Sequence, residues 1–178
     1  MKALAVVAFA TLLGLCAPVS ADEAPGPANP LDAIPATMPF STPYGAPILL
    51  GRAQEAIEAA ISEAQRRGWA INIAVDDSGA NLVAFARMDG AQLGSIAVAE
   101  HKARASVKFR RPTRVFEENI QKNDYKYQLT LDDIIASRGG IPLLEDGKLI
   151  GGIGCSGGTG SQDEVVCAAG AATINKPK

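Results

Sequence analysis

Apolar positions recur along the chain in two alternating rhythms. Between Ile48 and Arg67, Leu50, Ala53, Ile57, Ala60, Ile61 and Ala64 return at threes and fours. Arg52, Glu55, Glu58, Glu63 and Arg66 take the other faces, which predicts an amphipathic helix stopped at Gly68. The period then drops to two. Ile71, Ile73 and Val75 alternate with Asn72, Ala74 and Asp76, the tetrapeptide Asp77-Ser78-Gly79-Ala80 reads as a turn, and Asn81 to Arg87 completes a β-hairpin that ends at Arg87-Met88-Asp89-Gly90.

The helical period resumes from Ser95 to Phe109. Ile96, Ala99, Ala103 and Val107 form a narrow core stripe, His101, Arg104 and Lys108 cluster on the opposite side, and Pro112 closes the segment. Val115 to Lys122 reads as a short helix, Asn123 to Leu131 as irregular, and Asp132 to Ser137 as a helical turn. A second hairpin follows, from Gly139-Gly140-Ile141-Pro142-Leu143-Leu144 through Glu145-Asp146-Gly147-Lys148 to Leu149–Cys155. Ser161 and Glu164 have capping-box spacing and predict a last helix. Val165, Ala168, Ala169 and Ala172 would be its inward stripe of small residues. Helix, two strands, helices, two strands and helix imply an α+β fold around an antiparallel sheet.

The first 47 residues do not share this pattern. Lys2, the apolar run Ala3 to Ala17 and the small-residue site Val19-Ser20-Ala21 read as a signal peptide over 1–21. A periplasmic or secreted mature chain is therefore expected, with no stable membrane span after cleavage; an uncleaved anchor is the main alternative. Seven prolines between Asp22 and Pro47 make 22–47 an extended arm able to drape over a neighbouring subunit, and leave 48–175 as the folded domain. Cleavage would remove Cys16 and leave Cys155 and Cys167. These can bridge strand and helix, or stand as two small buried thiols. A net charge of −2 gives no support to nucleic-acid binding, and with 5% aromatic residues the core is built from Ala, Ile, Val and Leu.

Chemistry is sparse. The glycines between Cys155 and Ser161 suggest a phosphate cradle, but Asp163 and Glu164 would repel an anion there and no lysine follows as a P-loop needs. Gly154-Cys155-Ser156-Gly157-Gly158 fits the nucleophile-elbow spacing. The single histidine, His101, precedes the serine, against the chain order of that fold. The glycines are better explained as a tight strand-to-helix turn. One histidine and two cysteines fit no zinc spacing.

Several segments together resemble the GlcG/HbpS-like haem-binding family: A-V-D-D-S-G-A-N-L-V-A-F-A-R-M-D-G-A (74–91), the helix from Ser95 into H-K-A-R-A (101–105), F-R-R-P-T (109–113), G-G-I-P-L (139–143) and I-G-G-I-G-C-S-G-G-T-G-S-Q-D-E (150–164). The resemblance implies a PAS- or profilin-like sandwich with a central antiparallel sheet and packed helices. It also implies homo-oligomers, and binding of haem or a related tetrapyrrole for haem or iron handling or sensing. The departures are Cys155, where the family has an apolar residue, and Cys167. On this reading His101 is the candidate axial ligand, since imidazole commonly ligates haem iron and the adjacent cations disfavour its protonated form. Arg104, Lys108, Arg110 and Arg111 are candidate propionate partners, and Thr113 a further contact. Met88, Tyr125 and Tyr127 are weaker candidates. Asp89, Ser95, Lys102, Gln162 and Asp163 are polar residues inside the matching motifs that could instead line a small-molecule cleft. That leaves an enzyme or accessory protein of a periplasmic catabolic pathway as the alternative.

Overall fold

A computed structural model describes residues 30–175 and divides the chain into two units, 1–34 and 35–178. The signal-peptide expectation and Cys16 lie outside the described residues. In the first unit the described part holds one 3-10 turn, Pro30–Asp32.

The second unit follows the order read from the pattern: α1 (Leu50–Arg67), β1 (Asn72–Asp77), β2 (Leu82–Arg87), α2 (Ser95–Lys108), α3 (Arg114–Lys122), β3 (Gly140–Glu145), β4 (Lys148–Ser156) and α4 (Gly160–Ala171). The four strands form one antiparallel sheet in the order β2-β1-β4-β3, so the two hairpins meet through β1 and β4. The α+β sandwich is therefore as expected. The β3–β4 turn places Asp146 and Gly147 at positive φ, as a two-residue hairpin loop requires.

Alternation along the central strands sets the layers. Ile73, Val75, Ile153 and Cys155 point towards α1 and α4, joining Ala53, Ala56, Ile57, Ala60, Val166 and Cys167 in the main core. Ala74 faces the other way, with Ala99 and Ala103 of α2. Methyl groups at Gly152 and Gly154 would run into the α2 backbone at Ala103 and Ala99. The glycines of β4 thus let a helix of small residues lie directly on the strand.

Four local expectations change. α4 is capped by Thr159, whose side chain accepts from the Gln162 amide while Gln162 returns a bond to the Thr159 amide. Thr-Gly-Ser-Gln has the same box spacing as Ser-Gln-Asp-Glu, and the helix takes the earlier one. Its inward face is accordingly Asp163, Val166, Cys167, Gly170 and Ala171, with Val165 exposed. Segment 132–137 is not helical, because Asp133 adopts φ +63° and breaks the turn. The irregular stretch contains a 3-10 turn, Lys126–Thr130. Finally, part of the proline arm is held in place. Leu149 of β4 donates to Pro43 O and accepts from Gly45 N, and the Tyr44 hydroxyl lies 3.2 and 3.1 Å from the Val107 and Lys108 carbonyls.

Candidate functional site

Seating α2 on the glycines of β4 turns one of its lysines into the protein. Lys102 is fully enclosed, with its Nζ 2.8 Å from Asp163 Oδ2 and 3.1 Å from the Cys155 carbonyl. The other Asp163 oxygen accepts from the Gly158 amide at 3.0 Å. An isolated charge at this depth would be costly; the pair with its flanking backbone bonds makes it tolerable. One turn further along α4, Cys167 is disulfide-bonded to Cys155 with a Cα–Cα separation of 5.5 Å, which decides between the two cysteine alternatives. Asp163 and Cys167 are four residues apart on one helix face, so α4 is fastened twice to the same end of β4. Lys102 and Asp163 are framework residues, a role that the outward cationic stripe concealed. The signal was there: Lys102 lies three residues after Ala99 and four before Ser106, both inward-facing.

The outward residues of α2 share a face but not a fate. His101 is half-buried, and its Nε2 is enclosed with no hydrogen-bond partner among the described residues. Arg104, one turn on, is half-buried and forms no hydrogen bond or ion pair among the described residues. Its charge acts on both Asp76 and Asp133. Lys108 is paired with Asp133, and that bond holds the Asp133 carboxyl below its usual range, helped by the charges of Lys108, Arg104 and His101. The face is thus not purely cationic: the turn at 132–133 returns a carboxylate to it.

Beyond the helix, the arm occupies the remaining cations. Arg110 donates to Thr42 O at 3.1 Å and lies 5.6 Å from the Tyr44 ring centroid. The Arg111 guanidinium stacks 3.5 Å from Phe40 and 5.5 Å from Phe116, and burial lowers its pKa. Thr113 is enclosed; its hydroxyl donates to Ser137 O at 2.7 Å and accepts from Gly140 N at 2.9 Å, which ties the chain to the start of β3. Arg111 and Thr113 therefore serve the packing of the segment after α2. Met88 packs at the edge of the main core, and Tyr125 and Tyr127 contact one another at 6.0 Å in the 3-10 segment.

Across from α2, Asp76 is enclosed on β1 at a register shift between Val75 and Asp76. No hydrogen bond from the described residues reaches its Oδ2. Burial raises its pKa to about 6, opposed by Arg104 and reinforced by Asp77 and Glu100. A carboxyl raised in this way binds its proton more tightly when folded. Its own contribution to stability should therefore be greatest below pH 4 and fall as pH rises through 6. Asp76→Asn is expected to raise stability at pH 8 by about 2 kcal/mol, with the gain vanishing by pH 4. Urea unfolding at the two pH values measures this, and an equal gain at both would count against an ionised Asp76 as the cause.

The nucleophile reading finds no support, since Ser156 is enclosed and no hydrogen bond joins it to His101 among the described residues. Ile61, Gln65, Arg87, Met88 and Asp89 line a separate cleft of about 330 Å³ beside β2. Among the described residues no group of three or more His, Cys, Asp or Glu could hold a metal ion, and no helix is long and apolar enough to cross a membrane.

Known proteins share both the sequence and this architecture. Protein GlcG of Escherichia coli K12 is 36% identical over 100 residues, 56% of this chain and 74% of GlcG. The structure of the PduOC:heme complex superposes with a TM-score of 0.67 at 27% identity, over 73% of this chain and 96% of that one. A double mutant of Streptomyces reticuli HbpS does so with a TM-score of 0.66 at 28% identity, over 81% and 98%. The model of the family described as haem degrading protein HbpS-like matches residues 49–172, and the chain belongs to that family.

Proposed function

We propose that the protein is exported and binds haem, with His101 as the axial ligand and Arg104 as the partner of a propionate. One observation carries the reading: among the described residues, an enclosed imidazole nitrogen without a partner stands one helical turn from an arginine with no bonded partner. A buried polar atom left unpaired is costly, and a Lewis-acidic metal would satisfy it. The donor set therefore fits haem, which when bound supplies a redox-active iron. His101 would hold the iron, and Arg104 would neutralise a propionate carboxylate. Lys108 can join only by leaving Asp133. The haem-degrading family and the likeness to the PduOC:heme complex support haem as the ligand. The Cys155–Cys167 bridge supports an oxidising compartment, periplasmic or secreted. Exposed Tyr127, Leu129 and Leu131 in one segment support self-association.

Soret titration with hemin tests the assignment. Wild type is expected to take up haem, His101→Ala to lose the ligated spectrum, and Arg104→Ala to weaken affinity by about tenfold. No uptake by wild type would remove the function; an unchanged spectrum in His101→Ala would remove only the ligand. The cleft lined by Arg87 and Asp89 favours a second reading, capture of a small polar molecule in a catabolic pathway. A ligand displaced by Arg87→Ala and untouched by His101→Ala would identify it.

A further inference from the structure

β2 ends in a pinned turn that no part of the haem reading uses. The Met88 amide donates to the Ile71 carbonyl at 3.2 Å, and the Ala91 amide donates to the Met88 carbonyl at 3.1 Å. Gly90 takes φ +82°, as a β-turn with Asp89 as its first central residue requires. Arg87 and Asp89 are thereby fixed on either side of Met88, and all three line the cleft of about 330 Å³. Ile61 and Gln65, one turn apart on α1, complete it. Ile61 and Met88 also pack against the main core, so the cleft has a firm apolar wall.

Its polar side chains are unspent. Arg87, Asp89 and Gln65 are exposed, and none forms a side-chain hydrogen bond or ion pair among the described residues. On the neighbouring turn of α1, by contrast, Glu63 holds both Arg66 and Arg67. A cation and an anion that do not bond one another therefore face one small volume. A plain carboxylate there is repelled by Asp89 and a plain amine by Arg87, whereas a molecule carrying both charges answers both.

We propose that this cleft binds a free α-amino acid with an apolar side chain, its carboxylate on Arg87, its ammonium on Asp89 and its side chain against Ile61 and Met88. The volume lies at the low end for ligand pockets, which suits a molecule of amino-acid size. The inference rests on the second reading, capture of a small polar molecule at this cleft, and names the class of that molecule. It makes no use of His101.

Isothermal titration calorimetry of the whole protein tests it with L-leucine, isocaproate and isopentylamine. The second lacks the ammonium of leucine and the third its carboxylate. Wild type is expected to bind L-leucine, and each analogue about tenfold more weakly. Arg87→Ala and Asp89→Asn are each expected to weaken L-leucine by about tenfold, and His101→Ala to leave it unchanged. Both altered positions are exposed, and circular dichroism checks that the fold is kept. Isocaproate bound as tightly as L-leucine, and lost in Arg87→Ala, overturns the amino-acid assignment and leaves capture at the cleft standing. L-leucine binding that ignores both cleft substitutions, or that falls in His101→Ala, overturns the site. Wild type that binds none of the three overturns the inference; the second reading then falls only if no other ligand is displaced by Arg87→Ala.

Discussion

Lys102→Met is expected to destabilise the protein by about 3–5 kcal/mol, because it strands a carboxylate in the interior. Asp163 is almost wholly enclosed; without the ammonium 2.8 Å away it keeps only the Gly158 amide as a partner. The carboxyl must then either remain charged in a poorly polarisable medium or take up a proton. The double variant Lys102→Met/Asp163→Leu is expected to recover more than half of the loss. Buried pairs are often replaceable by apolar residues of similar volume, although the Gly158 amide is left unpaired. Urea unfolding of wild type, both single variants and the double gives the coupling as a thermodynamic cycle. A cost below about 1 kcal/mol for Lys102→Met would mean that the pair does not fasten α4. Asp163→Asn, which keeps the shape and a bond to Gly158, offers a milder variant if the methionine protein does not fold.

Reduction of the Cys155–Cys167 bridge is the second large perturbation. It closes a loop of sequence separation 12, so opening it should cost about 2–3 kcal/mol by loop-closure entropy, or about 5–10 °C in Tm. Both cysteines are enclosed in the main core, so reduction leaves the packing atoms in place and acts mainly on the unfolded chain. Thermal unfolding with and without a thiol reductant, after complete reduction is confirmed by thiol counting, measures it. An unchanged Tm in the fully reduced protein would show that α4 is held by packing and the Lys102–Asp163 pair alone. If reduction and Lys102→Met together cost more than their sum, the two fasteners substitute for one another on the first turns of α4.

Both predictions concern contacts that periodicity could not reveal. The two hairpins, α1 and α2 were legible because alternation and the three-four repeat are local properties, and Gly68 and Asp146-Gly147 mark their ends. α4 was legible as a helix but not in phase. Two capping boxes overlap in Thr159-Gly160-Ser161-Gln162-Asp163-Glu164, and the inward face is set by a lysine 61 residues away and a cysteine 12 residues away. The candidate site divided in the same way. His101 and Arg104 share a helix face, as their spacing required. Lys108 was claimed by Asp133, Arg111 by Phe40 and Phe116, and Thr113 by Gly140 and Ser137, all from segments with no periodic signal.

By itself the sequence determined the order and type of the main elements, the narrow apolar stripe of α2 and the row of charged residues along it. It also carried the motifs through which family membership could be seen. Only the tertiary structure decided which of those charges are free to meet a ligand. A side chain's partner is set by the segment folded across from it, and the net free energy of each pairing depends on burial and distance, quantities that arise only when remote parts of the chain are brought together. Lys102 and Arg104 stand two residues apart on one helix; one is sealed against Asp163, while the other forms no hydrogen bond or ion pair among the described residues.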